Sequence, residues 1–252
     1  AAADVITIYG NTSGHITASA VTAFSGTAAN VATLVGRDAD SGNNKINMDG
    51  DYTVTLTGTA AAADVITIYG NTSGHITATG VTALTGTAAN IATVVGRDAD
   101  SGSNKINLDT DYTATVDAGT VAAADLNTIS GNTGGTVTAT NATTITGTAS
   151  AVAAVVGDSE ISVDSDYLVT LTGTAAAADV ITIYGDTSGH ITATGVTALT
   201  GTAANINTVV SREANSGSNK VNLDTDYTAT ITDANINATI LNTLNGNVPG
   251  LI

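Results

Sequence analysis

Eighteen residues, AAADVITIYGNTSGHITA, open the chain, and the same eighteen return from Ala61. A longer block, DYTVTLTGTAAAADVITIYGNTSGHITATGVTALTGTAAN from Asp51, comes back from Asp166 as DYLVTLTGTAAAADVITIYGDTSGHITATGVTALTGTAAN. Between them lies a diverged, shorter copy, and DYTATITDA and LNTLNGN near the end echo its DYTATVDAG and LNTISGN. The chain therefore divides into a truncated unit 1–50, a unit 51–110, a diverged unit 111–165, a unit 166–225 and a half unit 226–252. A tandem repeat this close confines the fold. One short unit cannot bury its own apolar face, but copies stacked on one another build a continuous core.

Each unit has two halves of the same grammar, a strand, then TGT, then a helix. In the first half Tyr52, Val54 and Leu56 alternate with Thr53, Thr55 and Thr57, the pattern of a half-buried strand. Thr59 is the expected N-cap, Val65, Ile68 and Tyr69 make a helical stripe, and Gly70 is the expected stop. In the second half Thr87 caps, Ile91, Val94 and Val95 form the stripe, and Gly96 closes the helix. Helices this short need tertiary packing. The expected fold is an α/β, elongated solenoid of strand and short-helix repeats, all one continuous stack. The alternative is a string of small β-rich modules, disfavoured because helical segments recur and no Pro- or Ser-rich linker separates the units.

Composition agrees with thin layers. Aromatic residues are 3% of the 252, with no Trp and one Phe, so any core is made of Val, Ile, Leu and Ala. Charged residues are 11%, against about a quarter in an ordinary domain, and 22 acidic against 6 basic residues leave a net charge of −16. Phosphate binding needs clustered Lys and Arg, so a nucleic-acid partner is excluded. No cysteine means no disulfide, thiolate metal site or thiol catalysis. The mean hydropathy of +0.23 comes from Ala and β-branched residues spread evenly. No run approaches the ~18 apolar residues of a spanning helix, so no membrane insertion is expected. No signal peptide opens the sequence, which is expected to be an excised or processed piece.

The six basic residues fall in two columns, Arg37, Arg97 and Arg212, and Lys45, Lys105 and Lys220. Each pair brackets one acidic loop, as in GRDADSGSNKINLDTDY. Hard cations such as calcium take six to eight oxygens, and DxDxG turns bring oxygens to one point. Counted from Asp98, Asp100 and Asp109 stand at positions 3 and 12, a partial echo of EF-hand spacing. Ser103 holds the place where that motif requires Gly. In the third copy Glu213 and Asn215 replace the loop aspartates. The expected calcium ligands are Asp38, Asp40, Asp49 and Asp51; Asp98, Asp100, Asp109 and Asp111; Asp164 and Asp166; and Asp224 and Asp226. The competing reading is plain turn chemistry, since Asp, Ser, Gly and Asn all favour turns.

His15, His75 and His190 occupy one column, with Thr136 in the diverged unit, and read as strand-entry side chains, because zinc needs three or four converging ligands. Tyr9, Tyr69 and Tyr184 read as packing at a helix end, and Tyr52, Tyr112, Tyr167 and Tyr227 as packing at a strand start. Thr-x-Thr runs such as TVTLTGT and TVTAT suggest an outward threonine array able to order water or ice, provided that face is not covered by helices. No GxSxG, HExxH, P-loop or dinucleotide fingerprint is present, so no enzyme activity is expected. Asn11, Asn71, Asn141 and Asn237 head glycosylation sequons that matter only in a glycosylating host.

Near-identical TGTAA units with DxD turns, no Cys and few Lys or Arg resemble the repeat regions of giant secreted or surface proteins of bacteria, including cyanobacterial ones related to calcium-dependent adhesins. The RTX nonapeptide GGxGxDxUx is absent, so no calcium β-roll is carried over. The resemblance implies an extracellular or cell-surface location, a spacer, fibre or matrix role, and calcium stiffening. Two functions are therefore expected: a structural rod associating head to tail into a filament, or a module that uses one Thr-rich face to bind a glycan, a cell-surface partner or ice.

Overall fold

A computed structural model describes residues 1–38, 45–98, 106–213, 221–250 and 252. They form two compact units, Ala1–Asp117 with Thr128–Thr138, and Ala118–Asn127 with Ala139–Ile252. In chain order the first contains α1 (Ala2–Gly10), β1 (Ile16–Ala18), β2 (Ala23–Gly26), α2 (Ala28–Asp38), β3 (Ile46–Met48), β4 (Thr53–Ala61), α3 (Ala62–Tyr69), β5 (Ile76–Gly86), α4 (Ala88–Asp98), β6 (Ile106–Leu108) and β7 (Thr113–Val116). Next come β8 (Gly119–Ala122), in the second unit, then α5 (Ala123–Ser130) and β9 (Val137–Ala139), whose residues are shared between the units. The second unit continues with β10 (Ala142–Gly147), α6 (Ala149–Gly157), β11 (Ile161–Val163), β12 (Leu168–Ala176), α7 (Ala177–Asp186), β13 (Ile191–Gly201), α8 (Ala203–Glu213), β14 (Val221–Leu223), β15 (Thr228–Ile231) and α9 (Ala238–Asn247). Among the described residues this is a mixed α/β fold of nine helices and parallel strands, and no sheet closes into a barrel.

Parallel strands cannot be joined by a tight hairpin, and in both units the connection between neighbouring long strands is a short helix. The first unit orders β2, β4, β5, β7 and β9, with β6 beside the start of β5; β1 and β3 form a separate pair. The second orders β8, β10, β12, β13 and β14, with β15 beside the end of β13. Repetition puts like beside like. Phe24, Val54, Ile76 and Ile106 are successive register partners, as are Val121, Ile145, Val169, Ile191 and Val221. All nine side chains are buried. At ~25 cal/mol per Å² such ladders supply the main stabilising term of a core without Trp.

The alternation read from the sequence holds. Tyr52, Val54 and Leu56 are buried while Thr53, Thr55 and Thr57 are exposed. Outward ladders run Ser25, Thr55, Thr77, Asn107 and Thr146, Thr170, Thr192, Asn222, all exposed or half-buried.

Two expected helix boundaries are corrected. Thr59 does not cap α3, because β4 runs on to Ala61, which is the N-cap and makes no side-chain cap bond. Gly58, at φ +78 in the left-handed region, absorbs a register shift within β4, and the strand continues past it. Gly96 does not close α4, which continues to Asp98. Thr87 does cap: its Oγ1 accepts the Asn90 N–H at 3.2 Å.

The unit junctions as the candidate site

The DxDY turn and the turn after each first-half helix, though some 20 residues apart, pack together as one clamp. Thr72, buried, donates its hydroxyl to the Tyr52 carbonyl at 2.5 Å and accepts the Gly74 N–H at 3.0 Å. Thr133 repeats this with Tyr112 and Gly135, and Thr187 with Tyr167 and Gly189. Ser73 and Ser188 add N–H bonds to the Gly50 and Ser165 carbonyls at 2.9 and 2.8 Å. The approach leaves no room for a side chain at the glycine. A Cβ on Gly74 would lie 2.2 Å from the Tyr52 carbonyl oxygen, and one on Gly135, Gly189 or Gly250 would meet its own tyrosine at 2.2 to 2.4 Å. Sequence reading passed over this glycine column.

The acidic residues turn largely onto backbone. Asp49, Asp109, Asp164 and Asp224 each accept the next residue's N–H at 2.6 to 2.8 Å, tightening the turn. Asp38 and Asp98, at the ends of α2 and α4, accept the N–H of Met48 and Leu108 at 2.8 Å, tying each helix to the strand after the loop. Asp51, Asp111, Asp166 and Asp226 are exposed. Asp40, Asp100, Ser103, Lys105, Asn215 and Lys220 lie outside the described residues. Among those described, no three His, Asp or Glu side chains form a group that could hold a metal ion.

Buried phenols line the junctions. Burial, then the charge of Asp38 or Asp98, pushes Tyr52 and Tyr112 from the ordinary 10.0 up to about 12. Burial and Glu213 do the same to Tyr227, to about 12. Tyr167 rises further through burial and its bond to Asp186. The hydroxyls of Tyr52 and Tyr227 reach the carbonyls of Asn71 and Asn247 at 3.3 and 3.4 Å. Tyr112 finds no hydrogen-bond partner among the described residues.

The helix-end tyrosines are partners of the arginine column. Arg37, Arg97 and Arg212 lie over the rings of Tyr9, Tyr69 and Tyr184 at 4.8, 4.7 and 4.3 Å, and Arg212 also donates to the Tyr184 hydroxyl at 2.9 Å. Residues 28 apart thus join consecutive helices. The signal was legible: both columns are missing together in the diverged copy, which has Ser130 and Asp158 in their places. The carbonyls of His75 and His190 accept strand N–H groups at 2.9 and 3.0 Å, as the carbonyl of Thr136 does, so the column works through backbone.

No protein-family model, curated protein or solved structure matches the chain.

One junction departs from the rest. At 157–167 the helix stops at Gly157, Asp158 Oδ1 accepts the Glu160 N–H at 2.9 Å, and β11 begins at Ile161. The tie to that strand is a backbone one, the Asp158 carbonyl accepting the Ile161 N–H at 3.2 Å. A carboxylate arrives beside Tyr167 from the other side, where Asp186 Oδ2 accepts the phenol at 3.0 Å. Beside it opens a cavity of about 280 Å³.

Proposed function

We propose that this chain is a structural repeat protein of the cell surface or extracellular matrix, its repeats stacking as a solenoid that serves as a rod or filament element. The observation that carries this reading is the register. Residues of successive units, Phe24 and Val54, Leu84 and Ala114, Ile145 and Val169, Leu199 and Ala229, are partners in parallel strands, so each repeat extends a sheet begun by the one before. Nothing in that construction requires chemistry at any junction. The setting, as in the bacterial surface repeats the sequence resembles, makes head-to-tail self-association the expected partner and calcium the expected stiffening ion at the acidic turns. Negative-stain microscopy with and without a chelator tests both. Long particles that shorten or bend on chelation support the reading; monodisperse globular particles at all concentrations overturn it, and a melting temperature that calcium leaves unchanged removes the ion.

A second reading has its own observation. The outward Thr ladders lie at the surface with strand-to-strand spacing of ~4.8 Å, which favours a face that binds ice or a regular glycan. Thermal hysteresis of the intact chain tests ice, and a pull-down on insoluble polysaccharide tests the glycan.

A further inference from the structure

The DxD turns close in the same way but not on the same residue. Asp49, Asp109, Asp164 and Asp224 each accept the N–H of the residue that follows, at 2.6 to 2.8 Å. That bond brings the nitrogen of one residue against the carboxyl group of the residue before it, which are the two ends of a five-membered ring. The following residue is Thr110, Ser165 or Thr225 at the later turns and Gly50 at the first. The step Asp–Gly occurs nowhere else in the sequence.

The first turn is also the least protected. Asp49 and Gly50 are both exposed, so water reaches the carboxyl group. Gly50 has no side chain to crowd its nitrogen, whereas the β-branched threonines of the second and fourth turns stand beside theirs and are stiffer. A Cβ built on Gly50 would meet nothing within 4 Å, so the surroundings leave this turn room to change shape.

We propose that Asp49 is a site of spontaneous covalent modification, at which the link to Gly50 moves from the main-chain carbonyl to the side-chain carboxyl through a cyclic imide. The Gly50 nitrogen attacks Cγ of the neutral acid form of Asp49. An N–C bond forms, a Cγ–O bond breaks, and the amide proton leaves with the hydroxyl as water. Water then opens the ring at the Asp49 main-chain carbonyl, which becomes the free carboxylate, and the chain runs on through Cγ as isoaspartate. The water lost is regained, and no cofactor or second protein takes part. Holding the two reacting groups together is the contribution of the fold.

The consequence falls on the clamp. The Gly50 carbonyl accepts the Ser73 N–H at 2.9 Å and the Ser73 hydroxyl at 3.2 Å. Isoaspartate inserts one methylene into the backbone just before that carbonyl. The first junction therefore loosens with age, while the third, where the Ser165 carbonyl holds the Ser188 N–H at 2.8 Å, does not.

The test is incubation of the intact chain in ¹⁸O-labelled water in mildly acidic buffer, then mapping with a protease that cuts before Asp but not before isoaspartate. Label and lost cleavage at Asp49 should appear at least about tenfold faster than at Asp109, Asp164 or Asp224, and within about tenfold of the rate in a free peptide of residues 47–52. Thr110→Gly should carry the reaction to Asp109. Gly50→Thr, which gives the first turn the residue of the second and fourth, should suppress it at Asp49. Amide exchange at Ser73 should rise with the modified fraction and stay constant at Ser188. Similar rates at all the turns, a folded chain slower than the peptide by more than that factor, or no gain at Asp109 in T110G would each overturn the proposal.

Discussion

The second and third DxDY junctions do the same job with different residues. At the second, α4 runs two residues past Gly96, Arg97 stacks on Tyr69, Asp98 holds the Leu108 N–H, and the same carboxylate lies near the buried Tyr112. At the third, α6 stops at Gly157, the Arg and Asp are gone, and Asp186 supplies the carboxylate to Tyr167. Two things are common to both. A buried phenol stands beside a carboxylate, and a glycine is pressed against the tyrosine carbonyl. The repeat therefore preserves relationships between groups, and individual residues are free to change where another can restore the relationship. The glycine is no stop signal by itself: the helix runs through Gly96 where Arg97 and Asp98 follow, and ends at Gly157 where Asp158 and Ser159 follow.

If the glycine clamp is what every junction shares, breaking it must be the most damaging change. Gly74→Ala and Gly189→Ala each drive a methyl to 2.2 Å from a carbonyl oxygen, and each should cost about 3 kcal/mol or more in urea unfolding. Gly96→Ala, with nothing within 4 Å of its Cβ and a helical backbone, should instead stabilise by ~0.5–1 kcal/mol. Equal effects at Gly74 and Gly96 would mean the clamp is not the common element.

The phenols distinguish the junctions next. In the folded chain Tyr52, Tyr112 and Tyr227 ionise at about 12, in the unfolded chain near 10. The unfolded state therefore loses its protons first. Their contribution to stability is complete below pH 10 and disappears as pH rises from about 10 to about 12. A melting temperature flat to pH 10 and falling steeply beyond is the expected curve; one that is flat to pH 12 would show the tyrosines to be reachable by solvent.

A single hydroxyl resolves the comparison further. Tyr167→Phe strips a carboxylate of its phenol donor and should cost ~1.5–2 kcal/mol, whereas Tyr112→Phe removes a buried hydroxyl with no described partner and should be neutral or slightly stabilising. The same pair of substitutions measured with equal cost would place an unseen partner at Tyr112.

Much of the fold was legible because the repeat fixes period and face at once. Tyr52, Val54 and Leu56 go inward and Thr53, Thr55 and Thr57 outward with no long-range information needed. The helix boundaries were not, since Thr59 and Gly96 behave as propensity expects only when their neighbours allow it. The site was half legible. The DxD spacing drew attention to the right turns, but spacing says nothing of where a carboxylate spends its lone pairs, and Asp49 and Asp98 spend one on backbone N–H groups. The Thr72 and Gly74 partnership with Tyr52 joins positions 20 and 22 apart. Its sequence trace is a glycine in each copy, which a turn would also explain.

The smallest effect tests the most specific part of the contrast. Arg97 over Tyr69 is a surface cation–π contact of the kind worth ~0.5–1 kcal/mol, too little to hold the fold but comparable to one residue's helix propensity. Arg97→Asp with Tyr69→Ser transplants the shortened junction's pair into the regular one, and α4 should then fray back to Gly96 as α6 ends at Gly157. Amide exchange at Gly96, Arg97 and Asp98 reads this directly: protection should drop at those residues while Val94 and Val95 keep theirs. Unchanged protection would assign the last two residues of α4 to the Asp98 bond with Leu108 alone, and Asp98→Ala would then produce the fraying that the arginine did not.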